Sequence, residues 1–259
     1  MVSGSRIIIT MRKKSWNVRK VHRWLTLLFG IQLIIWAITG SFMVLMQLHY
    51  IHGDHLVQEA DKPISEAALV ELNVSQRFQD VVQAMPGATN VILVNRLVAG
   101  EFRYVFQVTA NESKSLLTAD GLEIVELTEG DILALAQRYY RPIQSRQAQV
   151  DRVEFLSESG PSELHPRHLP VWRVDFLDRR NTSLYLSAQT GELVTKRHRA
   201  WRWFDLAWML HIMDYQEREN ISTPWILFFT ITTFFIAITG SYLLLRHFST
   251  RWWRQLWRK

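Results

Sequence analysis

Between Trp24 and Leu48 the chain reads WLTLLFGIQLIIWAITGSFMVLMQL, 25 residues without an Asp, Glu, Lys or Arg. About 20 apolar residues at 1.5 Å each cross a hydrocarbon layer roughly 30 Å thick, so this stretch predicts a membrane-spanning helix over 24–48. A second uncharged stretch runs from Pro224 to Leu245, PWILFFTITTFFIAITGSYLLL, and its proline suits a first helical turn. The first stretch is too long for the apolar region of a cleaved signal peptide. No A-x-A site follows it in LMQLHYIHGDH, so it is expected to stay as a span.

Charge outside these stretches is sorted. Arg6, Arg12, Lys13, Lys14, Arg19, Lys20 and Arg23 precede the first, and Arg246, Arg251, Arg254, Arg258 and Lys259 follow the second, with no acid at either end. Between the two flanks, 18 basic residues face 24 acidic ones. Positive residues favour the cytoplasmic side, so the expected order is a cytoplasmic basic segment 1–23, a span 24–48, a periplasmic domain 49–223, a span 224–245 and a cytoplasmic basic segment 246–259. In a bacterium that order puts the chain in the inner membrane, in contact with lipid. The net charge of +6 is therefore no nucleic-acid footprint, because the middle is acidic.

Composition narrows the chemistry. With 48% hydrophobic and 21% charged residues over 259 positions, the chain is too apolar to be disordered, while a mean hydropathy of −0.04 excludes a many-span bundle. The absence of cysteine excludes a disulfide scaffold, a thiolate nucleophile, a Cys-ligated zinc site and a Cys-ligated iron–sulfur cluster. No GxGxxG, Walker A, HExxH or GxSxG motif occurs, so the sequence gives no sign of a nucleotide or flavin site, and electrons would have to come from a separate donor.

The middle reads as α+β in two similar halves. A helical pattern over 75–86 is followed by strand-like runs at 91–94, 102–108 and 115–127, the last with an Asp120-Gly121 turn. A second helix is expected over TEGDILALAQRYY with Thr128 as its N-cap, then strands at 150–156, 171–177 and 183–196, with a turn at Thr190-Gly191. The fold class expected is an α+β membrane protein, two transmembrane helices flanking a periplasmic domain of two α+β repeats.

The spans share a pentapeptide: Ala37-Ile38-Thr39-Gly40-Ser41 recurs as Ala237-Ile238-Thr239-Gly240-Ser241. Small residues four apart let helices pack closely in lipid; alternatively, Gly40 and Gly240 clear room for a flat cofactor.

Four stretches together resemble the PepSY-associated transmembrane proteins. They are VRKVHRWLTLLFGIQLIIWAITGSFM, SLYLSAQTGELV, WFDLAWMLHIMDY and ITTFFIAITGSYLLL. The resemblance rests on His22-Arg23-Trp24 at the first span, the Thr-Gly hairpin within Ser183–Val194, and Trp208-Met209-Leu210-His211 before the second span. It implies PepSY-like repeats in the middle and a role in iron and siderophore uptake. Some members of that family are haem-bearing reductases of iron–siderophore complexes, and the better-understood reductases have four spans. The expectation is thus electron transfer assisting periplasmic reduction of ferric iron or an iron–siderophore through b-type haem. The alternatives are a non-enzymatic binding or regulatory module and an accessory subunit of a membrane redox complex.

Histidines are the residues such a function would use. His22, His49, His211 and His247 stand near span ends, and two neutral imidazoles from neighbouring helices ligate a b-type haem. His22 and His49 are 27 residues apart, about 40 Å along a helix, so the expected pairs are His22 with His247 and His49 with His211. Interfacial histidines that bind lipid phosphate or cap helical carbonyls have the same placement. Two spans offer a narrow seam for haem, so a homodimer or larger membrane complex is expected, with a separate electron donor. His49-x2-His52-x2-His55, beside Asp54, Glu59 and Asp61, forms a second pattern, suited to a first-row metal such as iron or simply a polar stretch leaving the membrane. His165-Pro166-Arg167-His168 reads as a loop, either contacting a ligand or solvated. Asp205 and Asp214 are expected to form ion pairs with Arg202 and Arg218.

Overall fold

The computed structural model describes residues 17–111, 113–141, 149–216 and 218–256, with side chains as far as Phe248. Arg6, Arg12, Lys13, Lys14, Arg258 and Lys259 of the two basic segments lie outside the described residues. The chain divides into two compact units, one made from its ends (up to Leu45 and from Leu206) and one from residues 46–205.

The terminal unit is built on α1 (Val18–Leu45) and α7 (Pro224–Leu256), with the carboxyl-terminal half of α6 (Arg199–Ile212). Both long helices are long and apolar enough to cross a membrane. They run antiparallel, Phe29 meeting Phe228 and Phe229 at ring separations of 5.7 and 5.6 Å while Trp36 meets Phe229. Their outer faces present Leu27, Ile31, Ile34, Phe234, Phe235 and Leu244 to the surroundings, an arrangement that suits hydrocarbon rather than water. The first helix is shifted from the expected 24–48. It begins at Val18, with Arg19, Lys20 and Arg23 exposed in its first two turns, and stops at Leu45 before Gln47 turns extended.

The 46–205 unit is α+β. After two short turns of helix, α2 (Leu48–His52) and a 3-10 turn over Asp54–Leu56, come α3 (Glu66–Glu71) and α4 (Val74–Ala84). A three-stranded antiparallel sheet follows in the order β1 (Ala88–Val98), β2 (Glu101–Ala110), β3 (Ser113–Thr118). Then α5 (Glu129–Tyr139) precedes a four-stranded antiparallel sheet of β4 (Val150–Leu156), β5 (Val171–Phe176), β6 (Ser183–Ser187) and β7 (Leu193–Arg197). Helix followed by antiparallel sheet thus occurs twice. From α4 onward the order of elements follows the expectation, which did not include α2 and α3, except at Asp120-Gly121, where the return leg pairs with β3 only as far as Val125 before leaving to start α5.

Each sheet buries one helix. Phe78 and Val81 of α4 pack on Phe106, Val108 and Leu117. Ile132, Leu135 and Ala136 of α5 pack on Val174, Phe176, Leu184 and Leu186. Helix α5 starts where Thr128 accepts from the Asp131 amide while the Asp131 carboxylate accepts from the Thr128 amide, satisfying two otherwise orphaned donors. The same carboxylate accepts from Ala99 N–H, fixing the β1–β2 turn to the helix.

One buried side chain joins the two halves. Arg96 of β1, 3% exposed at its side chain, makes a bidentate pair with Asp61 and donates to Gln107 of β2 and to the carbonyl of Thr190 in the β6–β7 turn. Gln107 in turn donates to Glu192, which also pairs with Lys114. The turn fits there because Gly191 has φ +68 and no side chain; a Cβ would lie 2.6 Å from Leu135.

Candidate functional site

The repeated Ala-Ile-Thr-Gly-Ser segments are two histidine sockets. In the α7 copy, His22 of α1 lies over Gly240, its Cε1 3.0 Å from where a Cβ would stand, and its Nδ1 is 2.9 Å from the Thr239 hydroxyl. In the α1 copy, His211 of α6 lies over Gly40, its Cε1 3.2 Å from that Cβ position, and its Nδ1 is 3.0 Å from the Thr39 hydroxyl. The glycines therefore clear room for imidazoles, an arrangement finer than either helix packing or a cofactor face. The same two residues, Thr then Gly, do the same two jobs in each.

The hydrogen bonds fix the ring chemistry. Thr39 donates its hydroxyl proton to the Ile35 carbonyl at 2.7 Å, and Thr239 donates to the Phe235 carbonyl at 2.9 Å. With those protons given to the carbonyls, each hydroxyl oxygen is left as acceptor, the assignment in which Nδ1 of His22 and of His211 carries the hydrogen. A neutral imidazole protonated at Nδ1 keeps its lone pair on Nε2. That is the form in which imidazole ligates a metal, oriented through its other nitrogen. Trp36 supports the second socket from the side, its ring 6.1 Å from that of His211.

The two sockets are separate. Thr39 lies 17 residues beyond His22 on α1, about 25 Å along the helix axis, so His22 and His211 of one chain serve two different sites. His247 lies on α7 seven residues past Gly240, about 10 Å along the helix, with its ring against Phe248. His49 belongs to the other unit, where its exposed ring pairs with Asp54 at 3.1 Å.

The 46–205 unit gathers a different set. His52 is exposed, and among the described residues no three of His, Asp and Glu converge on one point. His55 turns inward and stacks on Tyr50, ring centroids 4.7 Å apart and 7° from parallel. Across from it is His198, 1% exposed, with its centroid 5.9 Å from that of His55. His198 donates from Nε2 to the Ile51 carbonyl at 3.1 Å and lies against Gly53, whose φ of +73 and missing Cβ admit the ring. Three of the four ring nitrogens, both of His55 and Nδ1 of His198, are buried without a hydrogen-bond partner. Burial, with Arg180 adding positive charge, holds both imidazoles below their ordinary pKa. His198 carried no signal in the sequence, since its partners lie some 147 residues away.

Other charged groups are occupied structurally. An open cleft of 790 Å³ is lined by Glu163, Arg173, Asp178, Arg179 and Arg202 among others, but Arg173 pairs with Asp175 and Arg202 with Glu163. Arg202 thus takes a carboxylate partner from outside the expected set. Asp214 accepts from the amides of Gln216, Glu219 and Asn220 and so shapes the loop before α7. His165 and His168 sit edge to face at the 3-10 turn over Pro166–His168, His165 accepting from the Arg167 amide.

No family model, no curated protein and no solved structure matches the chain.

Proposed function

We propose that this chain is a two-pass electron-transfer protein of the bacterial inner membrane that assists periplasmic reduction of ferric iron or an iron–siderophore, with b-type haem held by His22 and His211. The observation that carries this reading is the pair of sockets, in which Thr39 and Thr239 lock the histidines with the Nε2 lone pair left for a metal. The residues fit the group. Glycine beneath each ring lets the imidazole sit close to a neighbouring helix, and Trp36 stands beside His211. Bound haem would supply one-electron chemistry at each socket. The chain's own residues orient the ligand nitrogen, exclude water from its edge and keep the second nitrogen satisfied.

One chain offers one socket histidine at each level, so a second histidine for each haem would come from another copy, which would bring the spans to four. The two-fold occurrence of helix and antiparallel sheet supports PepSY-like halves in the 46–205 unit. Both ends are read as cytoplasmic from their basic residues.

The test is the absorption spectrum of the full chain purified in detergent. A Soret band that shifts on reduction with dithionite is expected, and His22→Ala and His211→Ala should each remove about half of the bound haem and abolish ferric reduction by inverted-free spheroplasts. Membrane-inserted variants that keep the wild-type spectrum and activity would show the ligand assignment to be wrong.

A further inference from the structure

We propose that His55 and His198 form a binding site for a single late first-row transition cation, and that its chemistry favours Cu(I). This site stands on its own geometry and is independent of haem in the terminal unit. His198 has the arrangement of a metal ligand awaiting its ion. Its Nε2–H is spent on the Ile51 carbonyl, so its lone pair is on Nδ1, and that atom is buried with no partner. A ligating histidine is typically oriented in this way, by donation of its other ring N–H to a carbonyl. His55 is held flat against Tyr50 and likewise has no hydrogen-bond partner for either nitrogen. Two imidazoles sharing an ion at about 2 Å from each nitrogen place their centroids about 5 Å apart in a tetrahedral arrangement and about 6 Å in a linear one. The observed 5.9 Å, with the two ring planes 86° apart, falls within that range, and the planes of two imidazoles on one ion are free to twist about their bonds to it.

The surroundings select the ion. Among the described residues no carboxylate joins the two imidazoles: Asp54, the nearest acid in sequence, is engaged by Lys196 at 2.7 Å and by His49. Arg180 lies over Tyr50 at 5.7 Å and adds positive charge to both imidazoles. A divalent ion would bring two uncompensated charges into that setting, at high electrostatic cost. Hard iron(III) lacks the oxygen ligands it prefers. A monovalent, soft cation content with two neutral nitrogens meets both restrictions. Burial serves the same end, since it keeps the imidazoles neutral and excludes competing water.

Removing a ligand is expected to be felt elsewhere only weakly. Gly53 and Ile51 hold His198 from the backbone, so the His198 ring is placed whether or not the ion is bound.

The experiment uses the full-length protein in detergent, titrated anaerobically with Cu(I) against a chromogenic chelator, and separately with Zn(II). One Cu(I) per chain is expected, bound more tightly than Zn(II), with X-ray absorption reporting two imidazole nitrogens. His55→Asn and His198→Asn should each weaken Cu(I) binding by more than about a hundredfold, while His52→Asn leaves it unchanged. Circular dichroism of each variant verifies folding, and His55→Asn, on the less buried ring, serves if His198→Asn does not fold. Absence of stoichiometric Cu(I) binding by the wild type, retention of binding in His55→Asn, or Zn(II) bound more tightly than Cu(I) would each overturn the proposal.

Discussion

His22 and His211 in the terminal unit and His198 in the 46–205 unit all lie against a glycine, yet the two regions hold their rings by different means. In the terminal unit the glycine is helical, and its preceding threonine supplies the hydrogen-bond acceptor, so each socket is written into five consecutive residues. In the 46–205 unit the glycine is left-handed, the acceptor is a backbone carbonyl two residues before it, and the histidine arrives from the far end of the unit. A helix in lipid has its own backbone fully paired and must offer a side chain as acceptor. A chain leaving a short helix has a carbonyl to spare.

The largest effect should come from Gly53→Ala. A side chain at φ +73 costs about 1–2 kcal/mol in backbone strain alone. Its Cβ would also meet His198 at 3.2 Å. A fall in melting temperature of the full chain, followed by circular dichroism, is the check; an unchanged melting point would show that His198 is not seated by this glycine.

Acidification comes next and should separate the two regions. His55 and His198 both have folded pKa values lowered from 6.5, so the unfolded chain binds protons more readily than the folded one. Stability from this pair is full above about pH 6.5 and falls as the pH drops below it towards the lowered values. Denaturation midpoints measured between pH 8 and pH 5 should decline, and the His55→Asn/His198→Asn double variant should flatten the decline.

A smaller loss, on the order of 1 kcal/mol each, is expected for Thr39→Val and Thr239→Val, which remove the acceptor for Nδ1–H, with Thr→Ser restoring it. Thermal unfolding in detergent measures both, and equal stability of the Val and Ser variants would show that the threonine–histidine bond does not hold the ring. Smallest of all should be the difference between Gly240→Ala and Gly40→Ala. Alanine gains up to about 1 kcal/mol of helix propensity at both positions, offsetting the displaced ring. The closer approach at Gly240, 3.0 against 3.2 Å, makes that variant the less stable. The reverse order, read from the same melts, would mean that His22 yields more easily than His211.

What the sequence made legible follows the same division. The two long apolar helices and the pentapeptide repeat were visible as local patterns, and His22 and His211 stood out through the stretches that resemble the PepSY-associated proteins. Thr128 was readable as an N-cap for the same reason. The partner of each socket was not, since nothing in the sequence shows that α1 fills the socket on α7 while α6 fills the one on α1. His198 was invisible because it sits in the unremarkable run Thr195-Lys196-Arg197-His198, and only folding brings it to Gly53. The triplet His49, His52 and His55 read as one face, but Gly53 turns the chain left-handed between the second and third histidines and sends His55 inward alone.

The Arg96 pairing sets a clock on the making of this protein. Its carbonyl partner at Thr190 lies 94 positions later in the chain. At ribosomal rates of about 5–20 residues per second, roughly 5–20 s pass between synthesis of the two. During that interval the first sheet has its strands, and Arg96 has Asp61 and Gln107 as acceptors, but not the turn whose carbonyl completes its set. The carboxyl-terminal half, on arriving, therefore finishes a charge network that the amino-terminal half has already begun.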